Sequence, residues 1–217
     1  MSDKDWDEHW NKSNIISDYH LIYYSFLKKL SKELPKNSKV LEAGCGSGRG
    51  MACFFGHKVY GIDISDKALE LSKKYGTVRM GNVVNIPFKD NMFDLTYNSG
   101  VIEHLDNPRK AINEMTRVTK PNGLIVIIVP NKCCLFYQIY KTLFWGIQET
   151  PYSFFRFKNE FNEFKIKSFF GMHAFIPLAS SKTEFLPKKI REKIVKLDKI
   201  LPFKKYYAYA IGVIIKK

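Results

Sequence analysis

The 217-residue sequence has few cysteines and no motif that uses them together. Its four cysteines are Cys45, Cys53, Cys133 and Cys134, and none of them belongs to a C-x-x-C pair. This spacing supports neither a disulfide framework nor a zinc knuckle. We therefore expect no structural metal and a reducing compartment.

Long apolar runs are also missing. The nearest one, residues 133–147, is interrupted by Gln138, Lys141 and Thr142, and it falls short of the roughly 18 apolar residues of a membrane-spanning helix. Residues 1–6 are acidic and polar, where a signal peptide would be basic and then apolar. The sequence therefore predicts a cytoplasmic protein that at most contacts a membrane from one side.

Acidic residues are scarce relative to basic ones. The chain has 35 Lys and Arg residues against 21 Asp and Glu, a net charge of +14. Residues 1–131 carry 18 basic and 15 acidic residues, whereas residues 132–217 carry 17 and 6. We expect a near-neutral body followed by a basic, aromatic-rich segment, and a hydrophobic content of 45% is enough for a packed core.

Short apolar runs alternate with amphipathic segments along most of the chain. Strands are predicted at 40–43, 58–63, 77–80, 93–98 and 124–129, and helices at 15–33, 48–55, 66–74, 107–118 and 134–146. Residues 124–129 are six consecutive apolar residues, typical of a strand that is covered on both faces of a parallel sheet. The alternation predicts a doubly wound α/β fold.

The regular alternation stops beyond Asn131. Residues 132–160 contain nine aromatic side chains without a clear period. After them the sequence predicts a helix at 162–170, a strand at 173–178, a basic helix at 188–199 and a last strand at 206–215. No linker is long enough to divide the chain, so we interpret residues 1–217 as one domain.

A glycine-rich loop, residues 42–48 (EAGCGSG), follows the first predicted strand. Open α/β sheets bind ligands at this end of their strands. The loop lacks the Gly-Lys-Ser/Thr of a P-loop, and the two G-x-G-x-x-G frames fail at Arg49 and Met51. Glu42 would repel a pyrophosphate but suits a positively charged ligand. S-adenosylmethionine fits, because it carries a sulfonium and an ammonium group and no phosphate.

Asp63 ends the second predicted strand, 17 residues after Gly46. A carboxylate at this position can accept hydrogen bonds from both hydroxyls of a ribose. Residues 63–67 (DISDK) also have the pattern of a helix start, in which Asp63 would cap the next helix. The sequence alone leaves both interpretations open.

Five motifs stand in order along the chain: residues 40–48 (VLEAGCGSG), 60–65 (YGIDIS), 81–88 (GNVVNIPF), 93–105 (FDLTYNSGVIEHL) and 120–130 (KPNGLIVIIVP). The ordered set resembles the class I (Rossmann-like) S-adenosylmethionine-dependent methyltransferases, in particular the small-molecule group that includes the ubiquinone and menaquinone biosynthesis enzymes. The resemblance implies a mostly parallel, seven-stranded sheet. It also implies an N-terminal helical lid (1–36), a cofactor-binding core (39–131) and an acceptor region with the last strands (132–217).

The resemblance further implies which residues hold S-adenosylmethionine. The expected contacts are Glu42, Gly44, Cys45, Gly46 and Gly48 at the methionine end, Asp63 and Ile64 at the ribose, Asn82 and Val83 at the adenine, and Asn98 at the methionine amino group or the sulfonium. The family usually has Asp in place of Asn82. An amide oxygen still accepts a hydrogen bond, so we expect weaker or rearranged contact with the adenine amino group.

The pair Glu103-His104 follows the fourth predicted strand. Ubiquinone-type O-methyltransferases have a Glu-x-x-Glu-His cluster that is associated with a metal, but Gly100 replaces the first acid here, so we predict no metal. His104 is either a general base for a hydroxyl acceptor or a packing residue beside the next helix. Trp6 and Trp10 either fold over the cofactor as a lid or pack against the sheet.

The predicted function is methyl transfer from S-adenosylmethionine to a small, lipophilic acceptor, which leaves S-adenosylhomocysteine. Aromatic rings interleaved with basic residues over 133–157 suit a membrane-borne acceptor and contact with an anionic membrane. Two alternatives stay open. The net charge permits a tRNA or rRNA methyltransferase, although the sequence has neither an N-P-P-Y tetrad for exocyclic amines nor the cysteine pair used for uracil C5. The second alternative is a scaffold protein that binds S-adenosylmethionine but does not transfer its methyl group.

Overall fold

The structure is a computed structural model that describes residues 3–12, 18–135, 137–139, 150–172, 189, 193, 196–197 and 200–217. The strands are β1 (Lys39–Ala43), β2 (Lys58–Asp63), β3 (Thr77–Met80), β4 (Phe93–Ser99), β5 (Thr119–Pro130), β6 (Ile166–Met172) and β7 (Ala210–Lys216). In the described residues they form one seven-stranded sheet in the order β3-β2-β1-β4-β5-β7-β6. Strands β1 to β5 pair in parallel, and β7 pairs antiparallel with both β5 and β6. The predicted doubly wound, mostly parallel sheet is confirmed.

Helices lie before, between and after the strands, and some of them begin at residues with capping side chains. They are α1 (Asp3–Lys12), α2 (Asp18–Glu33), α3 (Asp66–Ser72), α4 (Pro108–Val118), α5 (Phe154–Asn159) and α6 (Lys204–Tyr207), with 3₁₀ helices at Met51–Phe54, Lys73–Tyr75 and Ile102–His104. Ser65 accepts a hydrogen bond from the Ala68 N–H at the start of α3. Asn107 accepts one from the Lys110 N–H at the start of α4, where proline occupies the first helical position. These local interactions define where both helices begin.

The sheet separates two apolar layers, which explains the continuous apolar runs in its central strands. On one face, Ile112 and Met115 of α4 pack with β-strand residues such as Ile127. On the other face, Leu27 of α2 packs in the same cluster as Val126 of β5. Successive residues of β5 therefore point into different cores, so none of them from Ile125 to Pro130 needs to be polar.

Most predicted elements of the core are confirmed, and three predictions are wrong. Residues 48–55 form a 3₁₀ helix only at Met51–Phe54, because the glycine loop extends further. Residues 162–170, predicted as a helix, include the start of β6, which pairs with β7. The last strand begins at Ala210 rather than at 206, because α6 precedes it. The predicted strand at 173–178, residues 140–146 and most of 188–199 lie outside the described residues.

Candidate cofactor-binding site

The glycine loop joins β1 to the 3₁₀ helix at the carboxyl edge of the sheet. Gly44, Gly46 and Gly48 have φ values of +79°, +47° and +73°, in the left-handed region that favours glycine. A Cβ on Gly44 would lie 2.6 Å from Cγ2 of Val101. The loop therefore needs glycine both for its backbone shape and for its close approach to the segment after β4.

Four N–H groups of this loop already donate within the protein. Those of Gly44 and Cys45 donate to the Ile62 carbonyl at 2.9 and 2.8 Å, and that of Gly48 donates to the Cys45 carbonyl at 2.8 Å. The Gly46 N–H donates to Oδ2 of Asp63 at 2.8 Å. A phosphate-binding loop presents such groups to its ligand. The arrangement therefore disfavours a phosphate and agrees with a ligand that has none.

Asp63 is held rigidly beside this loop at the end of β2. Its Oδ2 accepts from Gly46, and its Oδ1 accepts from the Ser65 N–H at 3.1 Å. Burial raises the pKa of this carboxyl, and the backbone N–H groups around it oppose the shift. A carboxylate oxygen has two acceptor positions, so both oxygens retain capacity for a ligand hydroxyl. The side chain is a hydrogen-bond acceptor of fixed position, and Ser65, not Asp63, is the residue that caps α3.

Glu42 lies beneath the loop, only 4% exposed. The Met51 N–H donates to its carboxylate, the Tyr97 hydroxyl lies beside it, and burial raises its pKa to about 8. A Cβ on Gly50 would lie 2.9 Å from both Glu42 Oε2 and the Tyr97 hydroxyl. In this geometry Glu42 accepts a hydrogen bond from Met51, the residue at which the loop ends, and so helps to fix that end of the loop. Contact between its side chain and the cofactor stays a prediction.

Two further residues of the predicted set turn their side chains into the protein. Cys45 Sγ lies 3.5 Å from Ser72 Oγ, and burial raises the pKa of its thiol. Asn98 is fully buried, and its Nδ2 donates to Sδ of Met115 in α4 at 3.4 Å. Cys45 can therefore contribute its backbone to a ligand site, and a contact through the Asn98 carbonyl stays a prediction.

The predicted adenine residues lie next to Asp63, where β3 ends. The Gly81 N–H donates to the Asp63 carbonyl at 3.0 Å, which fixes the two strand ends together. Asn82 is exposed and its Oδ1 accepts from the Val84 N–H at 3.0 Å, whereas Val83 is buried. Half-buried Ile64 directly follows Asp63. One acceptor position of the Asn82 side chain is thus used locally, and one remains.

Known proteins resemble this chain in sequence and in fold. Residues 41–127 match the family model of a methyltransferase domain. A tRNA (carboxymethyluridine(34)-5-O)-methyltransferase of Arabidopsis thaliana is 35% identical over 106 residues, which are 45% of this chain and 25% of that protein. A ubiquinone biosynthesis O-methyltransferase of Pelagibacter ubique is 33% identical over 129 residues, which are 56% of this chain and 51% of that protein.

Solved structures share the fold of this chain. A structure of the Haloferax volcanii methyltransferase activator Trm112 in complex with its partner has a TM-score of 0.74 at 16% identity, over 100% of this chain and 97% of that one. Residues 41–127 are therefore a methyltransferase domain, and the sheet around them has the class I, Rossmann-like fold. The chain spans only a quarter and about half of the lengths of the two curated relatives above. None of the helices in the described part is long and apolar enough to cross a membrane.

Helix α1 crosses the carboxyl edge of the methyltransferase domain and touches three of its segments. The indole of Trp10 lies against Gly46 in the glycine loop. Asp7 Oδ1 accepts from the Ser65 hydroxyl and, at 3.2 Å, from the Lys67 N–H at the start of α3. The Trp6 ring meets the His104 ring edge-on at 5.1 Å. The i, i+4 spacing of Trp6 and Trp10 is visible in the sequence and predicted either a lid or packing against the sheet. The role of Asp7 was not predicted, because no local pattern marks this residue.

His104 and Glu103 belong to the short 3₁₀ helix that follows β4 in the methyltransferase domain. The His104 ring is half-buried under Trp6, whereas the Glu103 side chain is 3% exposed. His9 of α1 adds a third ring to this corner, 5.7 Å from Trp6 and 5.0 Å from Trp10. The three rings of α1 thus form an aromatic face over the loops, and His104 lies at its border.

Proposed function

We propose that this protein transfers the methyl group of S-adenosylmethionine to a small, lipophilic acceptor. The observation that carries the proposal is a glycine loop in which the N–H groups of Gly44, Cys45, Gly46 and Gly48 donate within the protein, beside a fixed carboxylate, Asp63, at the end of the neighbouring strand. Such a site offers acceptors and close backbone approach, which suit a nucleoside with hydroxyl, ammonium and sulfonium groups. It offers few donors, which a phosphate would need.

In this proposal each part of the donor meets one segment of the site. The ribose hydroxyls donate to Asp63, the adenine ring lies at Asn82 and Val83, and the methionine end lies along the backbone of residues 44–48. Helix α1 acts as the lid, because Trp10 contacts the loop and Asp7 is bonded to the start of α3. A closed lid excludes water and holds the donor in place while the acceptor approaches.

The reaction is an in-line displacement. A nucleophilic oxygen, nitrogen or carbon of the acceptor forms a bond to the methyl carbon as the bond from that carbon to sulfur breaks, and S-adenosylhomocysteine leaves. The sulfonium is already activated, so alignment of the two reactants supplies most of the acceleration. A neutral hydroxyl must also lose its proton, and we assign this step to His104, whose imidazole lies at the edge of the site.

Support for a lipophilic acceptor comes from the segment after β5. Tyr152 pairs with Asn131 at the end of β5, and Phe154 and Phe157 follow it in the apolar core. These buried rings make the interior beside the carboxyl edge apolar, and we infer that the acceptor enters at this edge. The relatives include the ubiquinone biosynthesis O-methyltransferase of Pelagibacter ubique.

An acceptor screen tests the proposal. The purified protein is incubated with S-adenosylmethionine and lipid, quinone, amine or RNA fractions, and the release of S-adenosylhomocysteine is measured by mass spectrometry. We expect release with a lipid or quinone fraction and a mass gain of one methylene in the acceptor. Binding of the donor without turnover over every fraction would overturn methyl transfer and favour a cofactor-binding scaffold.

Transfer to RNA is the second candidate, because one relative at 35% identity is a tRNA methyltransferase and the net charge is +14. RNA binding depends steeply on salt, because basic side chains displace counterions from the phosphates. Methyl incorporation into tRNA or rRNA in the same screen, with affinity that falls steeply as salt rises, would favour this candidate over the lipophilic one.

A further inference from the structure

The antiparallel pairing of β7 brings α5 and α6 to the edge of the sheet that carries the cofactor site. Pro130 at the end of β5 pairs with Ala210 at the start of β7, and Met172 at the end of β6 pairs with the same residue. Helix α6 ends three residues before Ala210, and Tyr152, two residues before α5, pairs with Asn131. Both helices therefore lie at the carboxyl edge.

Three aromatic side chains of these two segments form an exposed group, which we call the aromatic rim: Phe155, Phe203 and Tyr206. They are 69%, 73% and 39% exposed. The rings of Phe155 and Tyr206 lie 6.0 Å apart, and Phe203 holds a positive φ of +55° directly before α6. Large apolar rings grouped in solvent at one edge mark an interaction surface, because their burial elsewhere would be favourable.

Basic residues flank the aromatic rim along the chain, and the nearest acidic residue of the described segments is Glu160, directly after α5. Residues 150–158 and 200–210 include Arg156, Lys158, Lys204 and Lys205 and contain no acidic residue. Lys205 Nζ lies 5.2 Å from the centre of the Phe154 ring and 5.3 Å from that of Tyr206. The surface thus combines apolar rings with cations, the combination that binds the interface of an anionic bilayer.

The contacts of the aromatic rings favour a bilayer over a nucleic acid as the partner. Single-stranded RNA binds to open ring faces on which its bases stack. Here Lys205 covers Phe154 and Tyr206, and the Arg156 guanidinium lies over the Tyr152 ring at 4.6 Å. Phe154 also meets Tyr206 edge-on at 5.1 Å. Of the three rim rings, that of Tyr206 thus has a cation over one face, and the buried rings of Tyr152 and Phe154 are unavailable for stacking.

We propose that the aromatic rim and its basic neighbours dock on the headgroups of an anionic bilayer, with Phe155 and Phe203 inserted at the interface. Docking at this edge turns the mouth of the cofactor site toward the membrane, so that a membrane-borne acceptor reaches it without crossing water. The surface binds lipid without cofactor, so this inference is independent of methyl transfer.

Flotation of the full chain with phosphatidylcholine vesicles, with or without phosphatidylglycerol, tests the proposal in the absence of donor. We expect binding to the anionic vesicles that weakens as salt rises. The double substitutions Phe155→Ser/Phe203→Ser and Lys204→Gln/Lys205→Gln should each weaken binding about tenfold or more. Matched controls are Phe55→Ser and Lys36→Gln/Lys58→Gln, at exposed sites near the opposite edge of the sheet; they should bind as the unaltered chain does.

Three results would overturn the proposal: no binding to anionic vesicles, equal losses in the rim and control variants, or tighter binding to single-stranded RNA than to the vesicles. Calorimetry with S-adenosylhomocysteine checks that the rim variants are folded and retain the cofactor site. A chain that binds the cofactor but not vesicles would refute docking alone, and one that binds vesicles but not the cofactor would refute the methyltransferase proposal alone.

Discussion

The indole of Trp10 occupies the space that a side chain on Gly46 would need. The N–H of the same glycine donates to Oδ2 of Asp63. One residue without a side chain therefore connects the helix that covers the site, the loop after β1 and the carboxylate at the end of β2. Any side chain at position 46 disturbs all three contacts together.

The substitution Gly46→Ala should lower the free energy of unfolding more than Gly56→Ala does. Both glycines have positive φ, +47° and +91°, so both alanines carry a left-handed strain of about 1–2 kcal/mol. A Cβ on Gly56 meets nothing within 4 Å, whereas one on Gly46 meets Trp10. We expect a further cost of about 1–3 kcal/mol at position 46 in urea unfolding.

The added substitution Trp10→Ala is the control for this overlap. It should recover part of the loss in the Gly46→Ala protein, which a double-mutant cycle measures as a coupling energy. Equal losses for the two glycine variants, or zero coupling with Trp10, would show that the lid does not contact the loop in solution.

The substitution Asp63→Asn should weaken the binding of S-adenosylhomocysteine by about 10- to 100-fold, because hydrogen bonds to a charged acceptor contribute more than those to a neutral one. Isothermal calorimetry measures the affinity, and circular dichroism confirms folding. Asp66→Asn, at an exposed position in the first turn of α3, is the matched control and should bind normally. Undiminished affinity in the Asp63 variant would remove the ribose assignment.

Glu42 should make stability fall as pH rises. Its pKa is about 8 in the folded protein and near the ordinary 4.5 when unfolded, so the folded state binds the proton more tightly. The stabilisation is fully present below pH 4.5 and is lost between pH 4.5 and about 8. Glu42→Gln should flatten this pH dependence of the free energy of unfolding, measured in urea across that range. Glu33→Gln, at an exposed site of α2, should leave the pH dependence unchanged. A rise in stability with pH would contradict the assignment.

Removal of the Asp7 carboxylate should release α1 from the site. Asp7→Ala loses the bonds from the Ser65 hydroxyl and the Lys67 N–H, so we expect faster proteolysis within residues 3–12 and weaker S-adenosylhomocysteine binding. The midpoint of global unfolding should change little, because Asp7 lies outside both apolar cores. Asn11→Ala, on an exposed position of the same helix, should show neither effect. Unchanged proteolysis would mean that other contacts hold the lid.

With a hydroxyl acceptor from the screen, His104→Gln should lower kcat by about 10²–10⁴, the usual contribution of a general base. Binding of S-adenosylhomocysteine should be unchanged, and the acidic limb of the kcat profile against pH should disappear. Trp6→Phe keeps a ring against His104 and serves as the structural control. A loss of cofactor affinity at constant kcat would instead assign His104 to packing under the lid.

Elements whose formation depends on local pattern were predictable, and those that depend on distant pairing were not. The apolar run at 124–129 requires burial on both sides, and in the structure it forms a strand of a sheet that is covered on both faces. Residues 162–170 include apolar positions that suit a helix as well as a strand, and only their pairing with β7 decides the outcome. Likewise, the length of the loop before Met51 follows from three positive φ angles that glycine permits but does not require.

The sequence by itself determined the chemistry of the candidate site: the glycines that approach closely, the acid one strand away and the missing phosphate-binding residues are local features, set by residue type and spacing. Only the tertiary structure decided where side chains point. It buried Glu42 beneath its loop, turned Asn98 under α4 and laid α1 across the site with Asp7 on Ser65. Such placements depend on packing between residues far apart in the chain, which no local pattern encodes.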